Sequence, residues 1–260
     1  MHDPLDKAQR RLATSFGYQD VPAENKSKLV SEVFASVADR YDLMNDLMSA
    51  GVHRLWKAAM IDWLRPRPGL RFLDVAGGTG DIAFRILDRL ARQGGTRVPL
   101  VVADVNPAML GVGRDRALDQ GRLDELAWVC ADAEALPLAP RAVDIYTIAF
   151  GIRNVTRIEQ ALAEARRVLA PGGRFLCLEF SKLQVPGLDR LYEAYSFAVL
   201  PWLGERVADD RAAYQYLVES IRRFPDQATF AGLIERAGFS NVRYRNLSGG
   251  IAALHSAWRV

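Results

Sequence analysis

Cysteine is scarce in this chain. The two that occur, Cys130 and Cys177, lie far apart in apolar, strand-like runs. That excludes a disulfide-built framework and leaves two buried, reduced thiols as the expectation. His2, His53 and His255 are scattered and form no metal-ligand spacing, so no metal centre is expected. No apolar run approaches the length of a membrane-spanning helix. The amino-terminal residues mix acids with bases and lack the apolar core of a secretory signal, which makes the cytoplasm the expected compartment. The net charge is only +3 and no dense Lys/Arg tract occurs, which argues against nucleic acid as a partner. Internal repeats and low-complexity tracts are also missing.

What is present is ordinary for a protein with one substantial core: 260 residues, 50% hydrophobic and 25% charged. The chain is organised around Leu73–Asp81, LDVAGGTGD. Arg71–Val75 reads as a short apolar strand. Gly77, Gly78 and Gly80 follow, then a helical pattern through Ile82, Ile86, Leu87 and Leu90. Strand, glycine turn and helix form the first unit of a nucleotide-binding α/β fold. Gly78, Gly80 and Ala83 also satisfy the G-x-G-x-x-A variant of a dinucleotide fingerprint, so the turn alone leaves two cofactors open. Charge separates them. A pyrophosphate at the helix N-terminus is disfavoured by the carboxylates of Asp74 and Asp81. The amino group and sulfonium of S-adenosylmethionine are favoured by them. The alternative for Asp81 is a plain helix cap.

The rest of the pattern organises around that unit. Residues 1–28 are expected to be a mobile arm and 29–68 a helical lid, closed by Pro66 and Pro68. Residues 69–260 form the main domain, with strands expected at 71–75, 98–103, 127–131, 142–149 and 174–180. Helices are expected at 80–92, 107–120 and 156–169. This alternation predicts a parallel sheet with crossover helices. LAPGG, residues 169–173, reads as a helix end and turn. An aromatic-rich helical insertion spans about 187–224. A helix at 226–237 and strands at 240–246 and 251–259 complete the chain.

In such folds ligands bind beyond the carboxyl ends of the strands. Asp104 ends the second strand at the distance expected of a ribose-binding acid. Asp132 ends the third, where an acid can accept from the adenine amino group while the N–H at Ala133 reads a ring nitrogen. The fourth strand runs into Gly151, Ile152, Arg153 and Asn154. Arg153 could hold an anionic oxygen there and Asn154 could donate to one. The alternative is an Arg153 paired with a structural carboxylate and an Asn154 that caps a helix.

At these residues the chain closely resembles the ubiquinone and menaquinone biosynthesis C-methyltransferases, including the mitochondrial ubiquinone enzyme. The matching stretches include YDLMNDLMSAGVHRLWK, LDVAGGTGDIAF, ADVNPAML, DAEALP, FGIRNVT, VLAPGGRFLCLEFSK, YQYLVESIRRFPDQ and GIAALHSAW, from about Phe16 to the end. The resemblance implies a class I S-adenosylmethionine-dependent methyltransferase fold: Rossmann-like α/β, with a seven-stranded, mostly parallel sheet. It implies S-adenosyl-L-methionine as cofactor and a polyprenylated quinol as substrate. Carried over, the cofactor positions are Thr79, Asp104, Asp132 and Ala133, and Asp74, Gly78 and Gly80 join them from the glycine turn. Ala149 stands where some bacterial members carry a serine.

Methylating a ring carbon requires a phenolate, because the carbon of a neutral hydroquinone is a weak nucleophile. Arg153 is the candidate for phenolate stabilisation and Asn154 for its orientation. Tyr41, with Asp42, is a weaker candidate for a proton relay. His53 is the one histidine placed to act as a base, or else a packing residue of its helix. A prenyl tail also implies peripheral contact with the cytoplasmic membrane, through Leu191, Tyr195, Phe197, Val199, Leu200, Trp202 and Leu203 with Arg190, Arg206 and Lys182, or delivery by a quinone-biosynthesis protein complex. A homodimer is left open by the sequence. So is an O- or N-methyltransferase acting on a small aromatic metabolite.

Overall fold

The computed structural model of the protein describes residues 5–6, 12–36, 46, 49, 51–94, 98–184 and 211–260. Two short strands, β1 (Ser15–Phe16) and β2 (Gln19–Asp20), pair antiparallel around Gly17 and Tyr18. Helices α1 (Ala23–Ser36) and α2 (His53–Leu64) follow. From composition, residues 1–28 are expected to be a mobile arm. The structure corrects this for part of that span: Leu12 is buried, residues 15–20 form the hairpin, and α1 begins at Ala23. A buried lysine fastens this region, since Lys26 Nζ donates to the carbonyls of Leu12 (2.8 Å) and Val155 (3.1 Å). Burial pushes its ammonium down to about 8.

The main sheet is assembled from β3 (Phe72–Val75), α3 (Asp81–Ala91), β4 (Leu100–Asp104), α4 (Pro107–Asp119), β5 (Ala127–Cys130), β6 (Val143–Ala149), α5 (Ile158–Val168) and β7 (Leu169–Phe180). The chain then supplies α6 (Arg211–Arg223), α7 (Gln227–Arg236), β8 (Ser240–Leu247) and β9 (Ala252–Trp258). The strand order is β5-β4-β3-β6-β7-β9-β8, with β9 running against its neighbours. From β3 the chain moves outward through β4 to β5, then returns to the other side of β3 as β6. The carboxyl ends of β3 and β6 therefore flank the topological switch point, where such sheets open a crevice.

Side-chain alternation along β3 sets the chemistry of that crevice. Phe72 faces the core that contains α2 and α3, whereas Leu73 and Val75 face the one built with α5 and α7. Asp74 is thereby turned to the Phe72 side, in register with Val102 of β4 and Thr147 of β6. Helix α3 is amphipathic for the same packing. Ile82, Ala83, Phe84, Ile86, Leu87 and Leu90 are buried, with Asp81 in its first turn and Arg89 in its last, as the helix dipole favours.

Two local expectations differ. LAPGG does not separate a helix from a strand that starts at residue 174. Val143 already pairs with Leu169 and Ile145 with Arg174, so residues 170–173 bulge out of a strand that has begun. Cys130 is exposed and not buried, because β5 is an edge strand; Cys177, in β7 near the sheet centre, is buried, and both thiols are free. Of the expected insertion, residues 211–223 are helical, and the hairpin is tied to that helix where Tyr18 N–H donates to Glu219 Oε2 at 2.8 Å. Residues 187–210 lie outside the described residues.

Candidate active site

One cleft opens at the switch point, with about 1050 Å³ of empty space including its open mouth. Its walls are the ends of β3, β4, β5 and β6, and α1 covers it with Ser27, Val30, Ser31 and Phe34. Asn106 joins wall to cover. Its side-chain oxygen caps α4 by accepting from Ala108 and Met109 N–H, while its Nδ2 donates to Ser31 O at 3.1 Å.

Six of the seven expected cofactor positions line this cleft: Asp74, Gly78, Thr79, Asp104, Asp132 and Ala133. Gly80 does not. It caps α3 at φ 79°, and a Cβ there would lie 2.8 Å from the Trp128 ring. Glycine is needed there for the left-handed turn and for the close indole, behind the cleft wall. At the opposite wall a Cβ on Gly151 would lie 2.4 Å from that of Ala76, so the loops after β3 and β6 cross in contact.

The acids of the cleft are held differently. Asp104 accepts Gly78 N–H on Oδ2 (2.9 Å) and Asn106 N–H on Oδ1 (2.8 Å). Burial raises its pKa and these N–H groups oppose the rise. Asp132 accepts Glu134 N–H, and Glu134 takes the Arg157 N–H and guanidinium, each at 2.8 Å. Asp81 is no simple cap, since Gly80 holds that position. Burial alone would raise its carboxyl, but Lys57 (2.7 Å) and Arg85 (2.9 Å) outweigh burial and hold it at about 2. Asp74 is the exception. Only 1% exposed, it accepts Thr147 Oγ1–H at 2.7 Å on one oxygen, and Oδ2 has no partner. Burial pushes its carboxyl up to about 7; Thr147 opposes, and the charges of Asp81 and Asp104 add.

Around the expected substrate end the structure separates Arg153 from Asn154. Asn154 lines the cleft, accepting Tyr216 O–H on Oδ1 at 2.9 Å; it does not cap α5. Arg153 does not line the cleft. Its Nη1 donates to Glu179 Oε1 (2.7 Å) and to Phe150 O (2.6 Å), and both side chains are almost fully buried. A guanidinium free to meet an anionic oxygen is therefore corrected to one committed to a structural carboxylate. Burial raises the Glu179 pKa against the pull of Arg153. Tyr41 and Asp42 lie outside the described residues. His53 Nε2 meets Asp46 Oδ1 at 2.8 Å; burial lowers its pKa, and it does not line the cleft.

Sequence reasoning missed Lys57, Thr147, Glu179 and Tyr216. A lone carboxylate in the apolar run FLCLEF and a lone lysine among the buried positions of α2 were the available signals. Among the described residues no group of three or more His, Cys, Asp or Glu could hold a metal ion.

Known proteins share both the sheet and the sequence. In architecture the chain is similar to a SAM-dependent methyltransferase from Thermotoga maritima, with TM-score 0.61 and 18% identity over 89% of this chain and 100% of that one. It is similar also to the [4+2]-cyclase SpnF, at TM-score 0.63 and 16% identity over 90% and 96%. Those likenesses speak for the fold. In sequence it is 61% identical to the ubiquinone/menaquinone biosynthesis C-methyltransferase UbiE of Methylobacterium nodulans, over 97% of this chain and 99% of that protein. The protein of that name in Paracoccus denitrificans is also 61% identical, over 95% and 97%. A family model matches residues 22–259, and with relatives of this identity along almost their whole length the chain belongs to the ubiE/COQ5 methyltransferase family.

Proposed function

We propose that the protein is an S-adenosylmethionine-dependent C-methyltransferase that methylates a polyprenylated benzoquinol, a demethylmenaquinol, or both. The residue-level observation that carries the cofactor is Asp74 Oδ2, a buried carboxylate oxygen without a partner in a cleft wall. A pyrophosphate has no use for it; an α-ammonium does. The residues present thus fit S-adenosylmethionine, which when bound supplies an electrophilic methyl group. Asp104, pinned by two backbone N–H groups, keeps lone pairs for the ribose hydroxyls. Asp132 and Ala133 take the adenine edge. The weaker reading, an O- or N-methyltransferase of a small aromatic metabolite, lacks support in the relatives, which at 56–61% identity are named C-methyltransferases.

On the substrate side Asn154 is the group we assign to the quinol oxygen. Tyr216 occupies its amide oxygen, which leaves the Nδ2 hydrogens as donors toward a developing phenolate. Arg153 and Glu179 position this loop and do not touch the quinol. Tyr41 remains the proposed relay residue from the lid. The test is direct. Purified protein, labelled S-adenosylmethionine and, in separate reactions in detergent, demethylmenaquinol and a polyprenylated benzoquinol should yield product labelled on a ring carbon from at least one of the two; label on oxygen, or none from either, overturns the reading. Asp104→Ala should weaken S-adenosylmethionine by about 1.5–3 kcal/mol, roughly 10- to 150-fold. Unchanged affinity by calorimetry takes the ribose away from Asp104.

A polyprenyl tail brings the substrate from a bilayer. No helix among the described residues is long and apolar enough to cross a membrane. We propose peripheral contact with the cytoplasmic membrane or hand-over within a quinone-biosynthesis complex; the aromatic residues proposed for contact, 191–203, lie outside the described residues. Lys182, proposed beside them, turns its Nζ to the Arg222 carbonyl. The protein should co-sediment with anionic liposomes at low salt and leave them at high salt. Failure to bind at low salt favours delivery by a partner.

A further inference from the structure

The described lining of the cleft carries five acids, Asp74, Asp81, Asp104, Asp132 and Glu134, and one cation, Lys57. Four of the acids are engaged by the protein itself, as above. Lys57 reaches from α2 to the first turn of α3, with its side chain 5% exposed and Asp81 Oδ2 at 2.7 Å. Asp81 is shared between two cations, because Arg85 also sits 2.9 Å from its other carboxylate oxygen. An ammonium has three N–H donors, and Asp81 accounts for one. Taking a lysine out of water is costly, and a buried ammonium that shares its carboxylate with Arg85 has N–H donors for a further anion. Lys57 is also close enough for its charge to act on the Asp74 carboxyl. At the glycine turn, where a Cβ on Gly77 would lie 2.9 Å from Asp74 Oδ2, the cleft presents one unmatched negative oxygen and one incompletely used positive group. That pair is the complement of an amino-acid zwitterion.

We propose that Lys57 binds the α-carboxylate of the methyl donor while Asp74 binds its α-ammonium, so that helix α2 completes the cofactor site. This rests on the assignment of S-adenosylmethionine as cofactor. Sequence spacing could not reveal it, since Lys57 and Asp74 belong to separate elements.

Calorimetry with three ligands separates the two claims: S-adenosylmethionine, its decarboxylated form, and 5′-methylthioadenosine, which lacks the whole amino-acid end. The unaltered protein should prefer S-adenosylmethionine over the decarboxylated form by about tenfold or more. Lys57→Met should weaken S-adenosylmethionine roughly 10- to 100-fold. The same variant should leave the other two ligands within about twofold, and Lys57→Arg should keep most of the discrimination. Equal weakening of all three ligands by Lys57→Met overturns the proposal and makes Lys57 a fastener of α2. Should that variant not fold, the unaltered protein decides: equal affinity for S-adenosylmethionine and its decarboxylated form overturns the proposal. Binding of 5′-methylthioadenosine without such discrimination leaves the cofactor assignment standing, whereas binding of none of the three removes both.

Discussion

Replacing Arg153 with alanine is expected to cost about 3–5 kcal/mol of folding stability, because Glu179 would stay buried without its counter-charge. For a chain of this size that is a fall in Tm of about ten degrees, read by calorimetry or circular dichroism. Glu179 sits in β7 at 1% exposure and has no water to turn to. Glu179→Gln should cost a comparable amount, since it leaves the buried Arg153 guanidinium without its counter-charge and arginine cannot shed its proton. Removing both charges, Arg153→Met with Glu179→Leu, should recover most of the stability. Turnover should not recover with it. Arg153 Nη1 also donates to Phe150 O, so the pair shapes the turn from β6 through Gly151 to Asn154. A folded double variant should therefore bind S-adenosylmethionine normally and show a lower kcat. If the double variant regains both stability and kcat, the pair is structural only. If Arg153→Ala keeps its Tm and loses only kcat, the guanidinium meets the quinol after all, and the assignment of a positioning role is wrong.

Those contrasts mark what the sequence could and could not convey. The strand, glycine turn and helix at 71–91 were legible because each is a local pattern: four apolar-flanked strand residues, glycines where φ turns positive, then apolar spacing at three and four. The parallel sheet followed from alternation, and Asp104 and Asp132 from their places after strands. Pairings across elements were hidden. Arg153 stands out in the sequence at the end of an apolar strand, but its partner lies 26 residues on in the neighbouring strand, and no spacing rule joins them. Asp81 reads from the sequence as a cofactor-side carboxylate or a cap, and its pairing with Lys57, 24 residues earlier, stays hidden because the packing of α2 on α3 makes it. Cys130 read as buried because only the strand order makes β5 an edge. The hairpin at 15–20 escaped because two-residue strands carry no periodicity at all.

Asp74→Asn should weaken S-adenosylmethionine by about 2–5 kcal/mol, the cost of removing one partner from a buried, hydrogen-bonded charge pair. It should also leave the empty protein at least as stable as the parent, because it deletes a carboxylate that burial opposes. The two effects have opposite pH signatures. In the folded, empty protein the Asp74 carboxyl stands at about 7, raised by burial. In the unfolded chain it stands near about 3.9. Its protonated form therefore contributes stability that is fully present below the unfolded value and is lost as pH rises through 7. Ligand binding runs the other way. An α-ammonium pairs with the ionised carboxylate, so affinity should fall as pH drops from about 8 to 5, approaching tenfold per unit once Asp74 is mostly protonated. Thr147 cannot supply this slope, because a hydroxyl does not titrate there, and Asp81 is held at about 2 by Lys57 and Arg85. The other titratable groups of the described cleft are Asp104, whose carboxyl is also raised, Asp132, Glu134 and Lys57, and near it lies His53, whose ring is lowered by burial and paired with Asp46. Calorimetric titrations of parent and Asp74→Asn across this range separate them. A slope that is steep in the parent and flat in the variant assigns the proton to Asp74. The same slope in both moves it to another of these groups, and removes Asp74 from the ammonium site.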